Sequence, residues 1–286
     1  LQERFNPMHI APFDNQNAPI VDRDDSVTPL VYFNIVKLAA GESHVSEIAG
    51  YETCIVPATG TATITIGDWS ADDVGGRGPD VWDGEPNAVY VPVGARAEIR
   101  AKNACEIFIA GAKFDEVYEP FVVRADDIDP VQYGSDDTKT HRKIKHLLGQ
   151  NPPGKVGRLL ISELYTVGAG GWSGFPPHKH DTDRLPDESH HDEVYNFRFR
   201  PGHGFGMQLL QREDGAVGEA YHIVDGSTLK IDKGYHPCVA APGYEMYYFT
   251  ILAGASQRSL VQFFQPTHAY QVETIPGIKD MVAKFK

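Results

Sequence analysis

The chain has 286 residues, of which 41% are apolar, and a net charge of −13 at neutral pH. The apolar share allows a packed core and excludes general disorder. The negative charge argues against nucleic acid or an anionic membrane surface as the main partner, and no run of about 18 apolar residues offers a transmembrane helix.

The three cysteines, Cys54, Cys105 and Cys238, are odd in number, and no pair has metal-ligand spacing. That usage points to a reduced, cytoplasmic compartment. The opening Leu-Gln-Glu-Arg-Phe does not read as a signal peptide.

In chain order, strand-length runs bounded by Gly, Pro, Asn and Asp dominate, and helix-period patterning is scarce. The first half carries such runs at 30–37, 53–57, 61–66, 88–91, 97–101 and 106–110. The second half carries them at 156–165, 193–199, 206–211, 220–224, 228–231 and 246–252. Both halves place a turn, Val91-Pro92-Val93-Gly94 or Asp232-Lys233-Gly234-Tyr235, before a late strand. The parallel predicts an all-β chain of two sandwich or barrel domains, 1–125 and 156–286, joined by a linker at 126–155. Within the linker, the basic segment from Lys139 to Leu148 reads as a helix or an extended arm, and Asn151-Pro152-Pro153-Gly154 breaks the chain. Residues 278–286 read as a short closing helix.

Seven of the 12 histidines lie between positions 178 and 236. In Pro176-Pro177-His178-Lys179-His180-Asp181, the two imidazoles are two residues apart, so a strand aims both into one space. Glu193 and, in Gly234-Tyr235-His236-Pro237, His236 complete a set of three histidines and one carboxylate. Such donors suit a divalent metal ion, Zn, Mn, Fe or Ni among others. Four protein ligands leave open positions for a substrate oxygen. His190 and His191 precede Glu193 and could support or displace a ligand. The first half has only the isolated His44 and Glu52, so it reads as metal-free.

These residues resemble the cupin superfamily, whose motifs have an HxH pair followed by Glu and, later, a Gly-rich turn ending in His. Here twelve residues separate His180 from Glu193, so 181–192 reads as an insertion. The second turn lacks its usual proline. Those departures look like a narrower family, the 5-deoxy-glucuronate isomerases of inositol catabolism. The similar strings are Gly171-Trp172-Ser173-Gly174-Phe175-Pro176-Pro177-His178-Lys179-His180-Asp181, Glu193-Val194-Tyr195, Gly204-Phe205-Gly206-Met207-Gln208, Gly234-Tyr235-His236-Pro237 and Ala241-Pro242-Gly243-Tyr244-Glu245-Met246-Tyr247-Tyr248. In the first half, Gly75-Gly76-Arg77 and Val81-Trp82-Asp83-Gly84 are also similar.

The resemblance implies a bicupin, two tandem double-stranded β-helix (jelly-roll) domains. It implies a metal-dependent aldose–ketose isomerase that turns 5-deoxy-glucuronate into 5-dehydro-2-deoxy-gluconate. The alternatives are a 5-keto-4-deoxyuronate isomerase of pectin breakdown, a bicupin metal dioxygenase, and a non-catalytic sugar-binding cupin. The expected partner is a small sugar acid, and a homo-oligomer is compatible with sheet edges that need covering. Proton transfer beside a carbonyl needs an acid–base group. Tyr195, on the face of Glu193, and Glu245 are the candidates. Gln208, Tyr247, Tyr248, Arg184 and Lys179 are candidates for holding the substrate, the last two for its carboxylate. Tyr247 and Tyr248 take opposite faces of a late strand, so one lines the barrel and the other packs outside, and a regular strand turns Lys179 away from the metal.

Overall fold

Side chains alternate between the two faces of a strand, and in Glu245–Gly254 both faces are buried. Met246 and Tyr248 point into the interior of the second half. Tyr247, Phe249, Ile251 and Ala253 join a core cluster that also holds Phe33, Cys54, Val56 and Phe108 of the first half. One strand thus serves a barrel interior on one side and the junction between halves on the other. The computed structural model describes residues 8–149 and 151–283.

The main sheet of the second half has seven strands, in the order His9–Ile10, Thr228–Ile231, His191–Arg200, Glu245–Gly254, Leu159–Thr166, Arg142–Leu148 and Val131–Tyr133. Facing it is a four-stranded sheet, Trp172–Ser173, Cys238–Ala240, Phe205–Leu210 and Glu219–Val224. The first half orders Val31–Leu38, Cys105–Lys113, Tyr51–Ile66, Ala88–Val91 and Phe121–Val123. Its second layer comes from the far end of Tyr51–Ile66, which pairs with Trp69–Arg77 and Ala97–Ala101. Gly60 marks the crossing between layers: its φ is +72°, and a Cβ there would stand 2.4 Å from the Ala104 carbonyl oxygen. Only glycine takes that position without strain. The result is two tandem β-sandwiches, the predominantly β architecture of a bicupin.

The sequence-based boundaries shift in two places. The stretch 126–155 is not a free connector, since Val131–Tyr133 and Arg142–Leu148 are strands of the second half's sheet. At the other end, His9–Ile10 pairs with Thr228–Ile231, so the N-terminal segment adds to the second half. The closing helix is Ile278–Ala283; the remainder of the expected span lies outside the described residues.

Apolar and ionic contacts both hold the halves together. Phe249 lies 4.8 Å from Phe108 and 6.2 Å from Phe33, centroid to centroid. The buried Glu52 carboxylate accepts the backbone N–H groups of Gly157, Arg158 and Leu159 at 2.5–2.8 Å and the Tyr90 hydroxyl at 2.7 Å. Arg77 of the first half pairs with Glu163 of the second at 2.5 Å, both side chains fully buried. The interior of the first half is filled by Ile55, Ile64, Ile99, Ile107 and Ile109.

Candidate metal centre and pocket

The second half brings His178, His180, Glu193 and His236 together from three pieces of chain: the 176–181 segment, the strand His191–Arg200 and the turn before Cys238–Ala240. His178 sits on a two-residue strand paired with Phe263–Phe264. The 181–192 loop folds on the buried Glu188, which accepts from Lys179 Nζ at 2.7 Å and from the Asp181 N–H at 2.9 Å. It closes when the His191 N–H reaches the His180 carbonyl at 2.8 Å, and this delivers Glu193 beside the histidines. His236 lies in a turn that requires Gly234, whose φ is +95° and where a Cβ would approach the Gln211 carbonyl to 2.7 Å. The Gly234 N–H donates to Asp181 Oδ2 at 2.8 Å, and Gln208 Nε2 donates to the His236 carbonyl at 2.7 Å.

Nitrogens of His178, His180 and His236 lie within 4.8 Å of one another. Each Nδ1 faces a backbone carbonyl: Pro176 at 3.2 Å, His191 at 3.1 Å and Gly234 at 2.8 Å. Those contacts place the ring proton on Nδ1 and turn each Nε2 lone pair inward. Glu193 Oε2 stands 3.1 Å from His180 Nε2 and 3.2 Å from His236 Nε2. The second contact lacks hydrogen-bond geometry, so His236 Nε2 is a buried nitrogen without a hydrogen-bond partner. Buried polar atoms are rarely left open, and a divalent cation fits the gap. The three histidines form a cluster able to coordinate a divalent metal ion.

The electrostatics suit that role. Burial, and then the neighbouring His236 and His180, push His178 well below the usual imidazole range. Burial acts the same way on His180, but its hydrogen bond to Glu193 wins and raises it. Burial would raise Glu193, yet the contacts from His180 and His236 hold it below the usual carboxylate range. His191 is pushed down to about 4, by burial first and His180 second. Its nitrogens face Ser189 Oγ and the Arg258 carbonyl, away from the cluster. The half-exposed His190 pairs with Asp192.

Beside the histidines is a pocket walled by Tyr195, Tyr248, Thr250, Gln262, Phe264 and Arg142. Burial, then the Glu193 charge, push the Tyr195 hydroxyl well above its ordinary range. Tyr248 sits 4.7 Å from the Tyr195 ring, its hydroxyl 2.5 Å from Ser173 Oγ.

Other expected residues stand elsewhere. Glu245 pairs with Arg200 at the far end of its strand, seven residues from Leu252, the partner of Glu193. At about 3.3 Å per residue that is roughly 23 Å along the strand from the partner of Glu193, which removes Glu245 as a base at the histidine cluster. Tyr247 has the opposite strand parity to Tyr248, and its hydroxyl donates to Glu163 at the junction of the halves. Lys179 pairs with Asp181 and Glu188, and Arg184 pairs with Glu188 over the Phe263 ring. Both point off the pocket because strand alternation turns Lys179 away and Glu188 gathers the two cations. Gln208 commits its amide nitrogen to the His236 turn, while its Oε1 is buried without a partner. Arg142 escaped the sequence reading because it sits in a run of basic residues that looks like solvated surface.

Residues 9–271 match the sequence profile of the KduI/IolB family. The chain is 32% identical over 259 residues to a 5-deoxy-glucuronate isomerase of Lacticaseibacillus casei, covering 89% of this chain and 93% of that protein. It is 30% identical to the Bacillus subtilis (strain 168) protein of the same name, with 88% and 92% coverage. A crystal structure of an IolB-like protein from Salmonella typhimurium LT2 superposes with a TM-score of 0.78 at 26% identity, covering 92% of this chain and 95% of that one. Oxalate decarboxylase from Bacillus subtilis shares the fold alone, at 12% identity and a TM-score of 0.62.

Proposed function

This chain belongs to the KduI/IolB family of the cupin superfamily, and from that premise we propose that it is a metal-dependent aldose–ketose isomerase of 5-deoxy-glucuronate. The product is 5-dehydro-2-deoxy-gluconate, and the reaction is a cytoplasmic step of inositol catabolism. The observation that carries the reading is the set of three imidazoles with Nδ1 tied to backbone carbonyls and Nε2 converging beside Glu193. His178, His180, His236 and Glu193 would hold the metal, which when bound supplies a Lewis acid for the substrate's carbonyl and neighbouring hydroxyl.

The chain's own groups supply the rest. Tyr195 keeps its proton at neutral pH, so it serves as a donor to a substrate oxygen rather than as a base. Tyr248, Thr250 and Phe264 enclose the reacting carbons and exclude water. Gln262 Nε2, 3.0 Å from His178 Nε2, lies at the mouth of the cluster, in reach of a substrate hydroxyl.

Substrate choice is tested by offering the manganese- or zinc-loaded protein 5-deoxy-glucuronate and 4-deoxy-5-keto-uronate separately. Turnover of the first and not the second supports the reading. The reverse preference would move the activity to the breakdown of unsaturated uronates.

A further inference from the structure

We propose that Arg142 is the anchor for the substrate's carboxylate. The inference rests on the pocket being a sugar-acid isomerase site and names the residue that recognises the acid end. Arg142 is 1% exposed and lines the same pocket as His178, His180 and Glu193. It is reached from the strand Arg142–Leu148, where Arg142 and Ile144 share the pocket face and Lys143 and Lys145 take the other.

A guanidinium has five N–H groups in a planar fork. Arg142 makes three hydrogen bonds: Nε to the Thr140 carbonyl at 3.2 Å, Nη1 to Ser173 Oγ at 3.4 Å and Nη2 to the Phe175 carbonyl at 2.6 Å. All three acceptors are neutral, and no carboxylate among the described residues pairs with it. Its remaining close neighbour is the Tyr133 ring, 4.4 Å from the guanidinium carbon. The contrast with the other deeply buried arginine is direct, since Arg77 has Glu163 at 2.5 Å. A buried cation without a counter-charge is costly, and the site is completed by an anion from outside. Two N–H groups are left for it, the number that a carboxylate takes in a bidentate pair.

The geometry also orders the substrate. Ser173 Oγ links Arg142 to the Tyr248 hydroxyl, and the Tyr248 ring touches Tyr195 beside Glu193. The pocket therefore runs from a cation at one end to the histidine cluster at the other. In an open-chain uronate the carboxylate and the aldehyde are at opposite ends. Holding the acid at Arg142 directs the aldehyde end to the histidines.

The test measures binding of D-glucuronate and of its uncharged counterpart D-glucose to the zinc-loaded protein by calorimetry. The proteins compared are the natural chain, Arg142→Gln and Arg142→Lys, each checked for an unchanged melting profile. The natural chain is expected to prefer glucuronate, and Arg142→Gln to lose on the order of 10- to 100-fold in glucuronate affinity with glucose unaffected. Arg142→Lys retains the charge and the buried stem, so it keeps a stable fold and a reduced preference for the acid. Undiminished preference in both variants would overturn the role of Arg142 and leave the isomerase reading in place. Failure of the natural chain to bind glucuronate would overturn both.

Discussion

At the scale of single residues, His180 and Glu193 determine how the cluster takes up a metal. With Nδ1 tied to the His191 carbonyl, burial is outweighed by the pull of Glu193, which raises His180 and so favours a second ring proton on Nε2, facing the carboxylate where a metal would bind. Metal uptake must displace that proton, so binding releases protons and affinity falls as pH drops below neutrality. Calorimetric zinc titrations in buffers of different ionisation enthalpy check this; buffer-independent heats at pH 6 would contradict it. Gln208 acts one step further out, through the carbonyls of His236 and Pro237. Gln208→Ala should weaken metal affinity about 10- to 100-fold, the usual effect of removing a ligand's support, read by competition with a chromophoric chelator. An unchanged affinity would mean that Gly234 and Asp181 alone hold the turn.

At the scale of elements, the histidine strand and the Glu193 strand were legible because period-two alternation and ligand spacing are local. Tyr195, Phe197 and Phe199 follow Glu193 inward as that parity requires. The strand Arg142–Leu148 was hidden because its charged residues mask the alternation. Their burial is explained only by distant partners, such as Glu85 for Lys145 and the pocket for Arg142. Glu245 stands away from the cluster because the motif names a string of residues, not its position along the strand; for Tyr247 and Tyr248, alternation separates the two faces without saying which one turns inward. The helix Ile278–Ala283 was expected merely to close the chain, yet Ile278 and Met281 line the pocket. Met281→Trp should therefore raise KM at least about tenfold, as ~1.4 kcal/mol of overpacking would, without altering zinc affinity. Steady-state kinetics beside the chelator assay separate the two effects, and an unchanged KM would place substrate entry away from this helix.

At the scale of the whole molecule, the first half acts as a buttress. Its core is continuous with the outer face of the strand that carries Tyr248 and Thr250. Phe249→Ala should cost about 3–5 kcal/mol through the cavity left between Phe33 and Phe108. Glu52→Gln replaces a charged acceptor of three second-half N–H groups with a weaker neutral one, a loss of about 2–3 kcal/mol. Urea melts monitored at both halves should shift together for both variants; separate transitions would show that the junction does not couple them. No described helix is long and apolar enough to cross a membrane.

Metal loading at the histidine cluster and isomerisation of a deoxy-uronate there, as proposed, stand or fall together in one experiment. The most direct measurement is an NMR time course of the metal-loaded protein with 5-deoxy-glucuronate, run beside His236→Ala and a chelator-stripped sample. The account predicts that the aldehyde signal gives way to a ketone in the loaded protein only, and that restoring metal restores turnover in the natural chain but not in His236→Ala. Conversion that survives both metal removal and His236→Ala, or no conversion with metal bound, would contradict it.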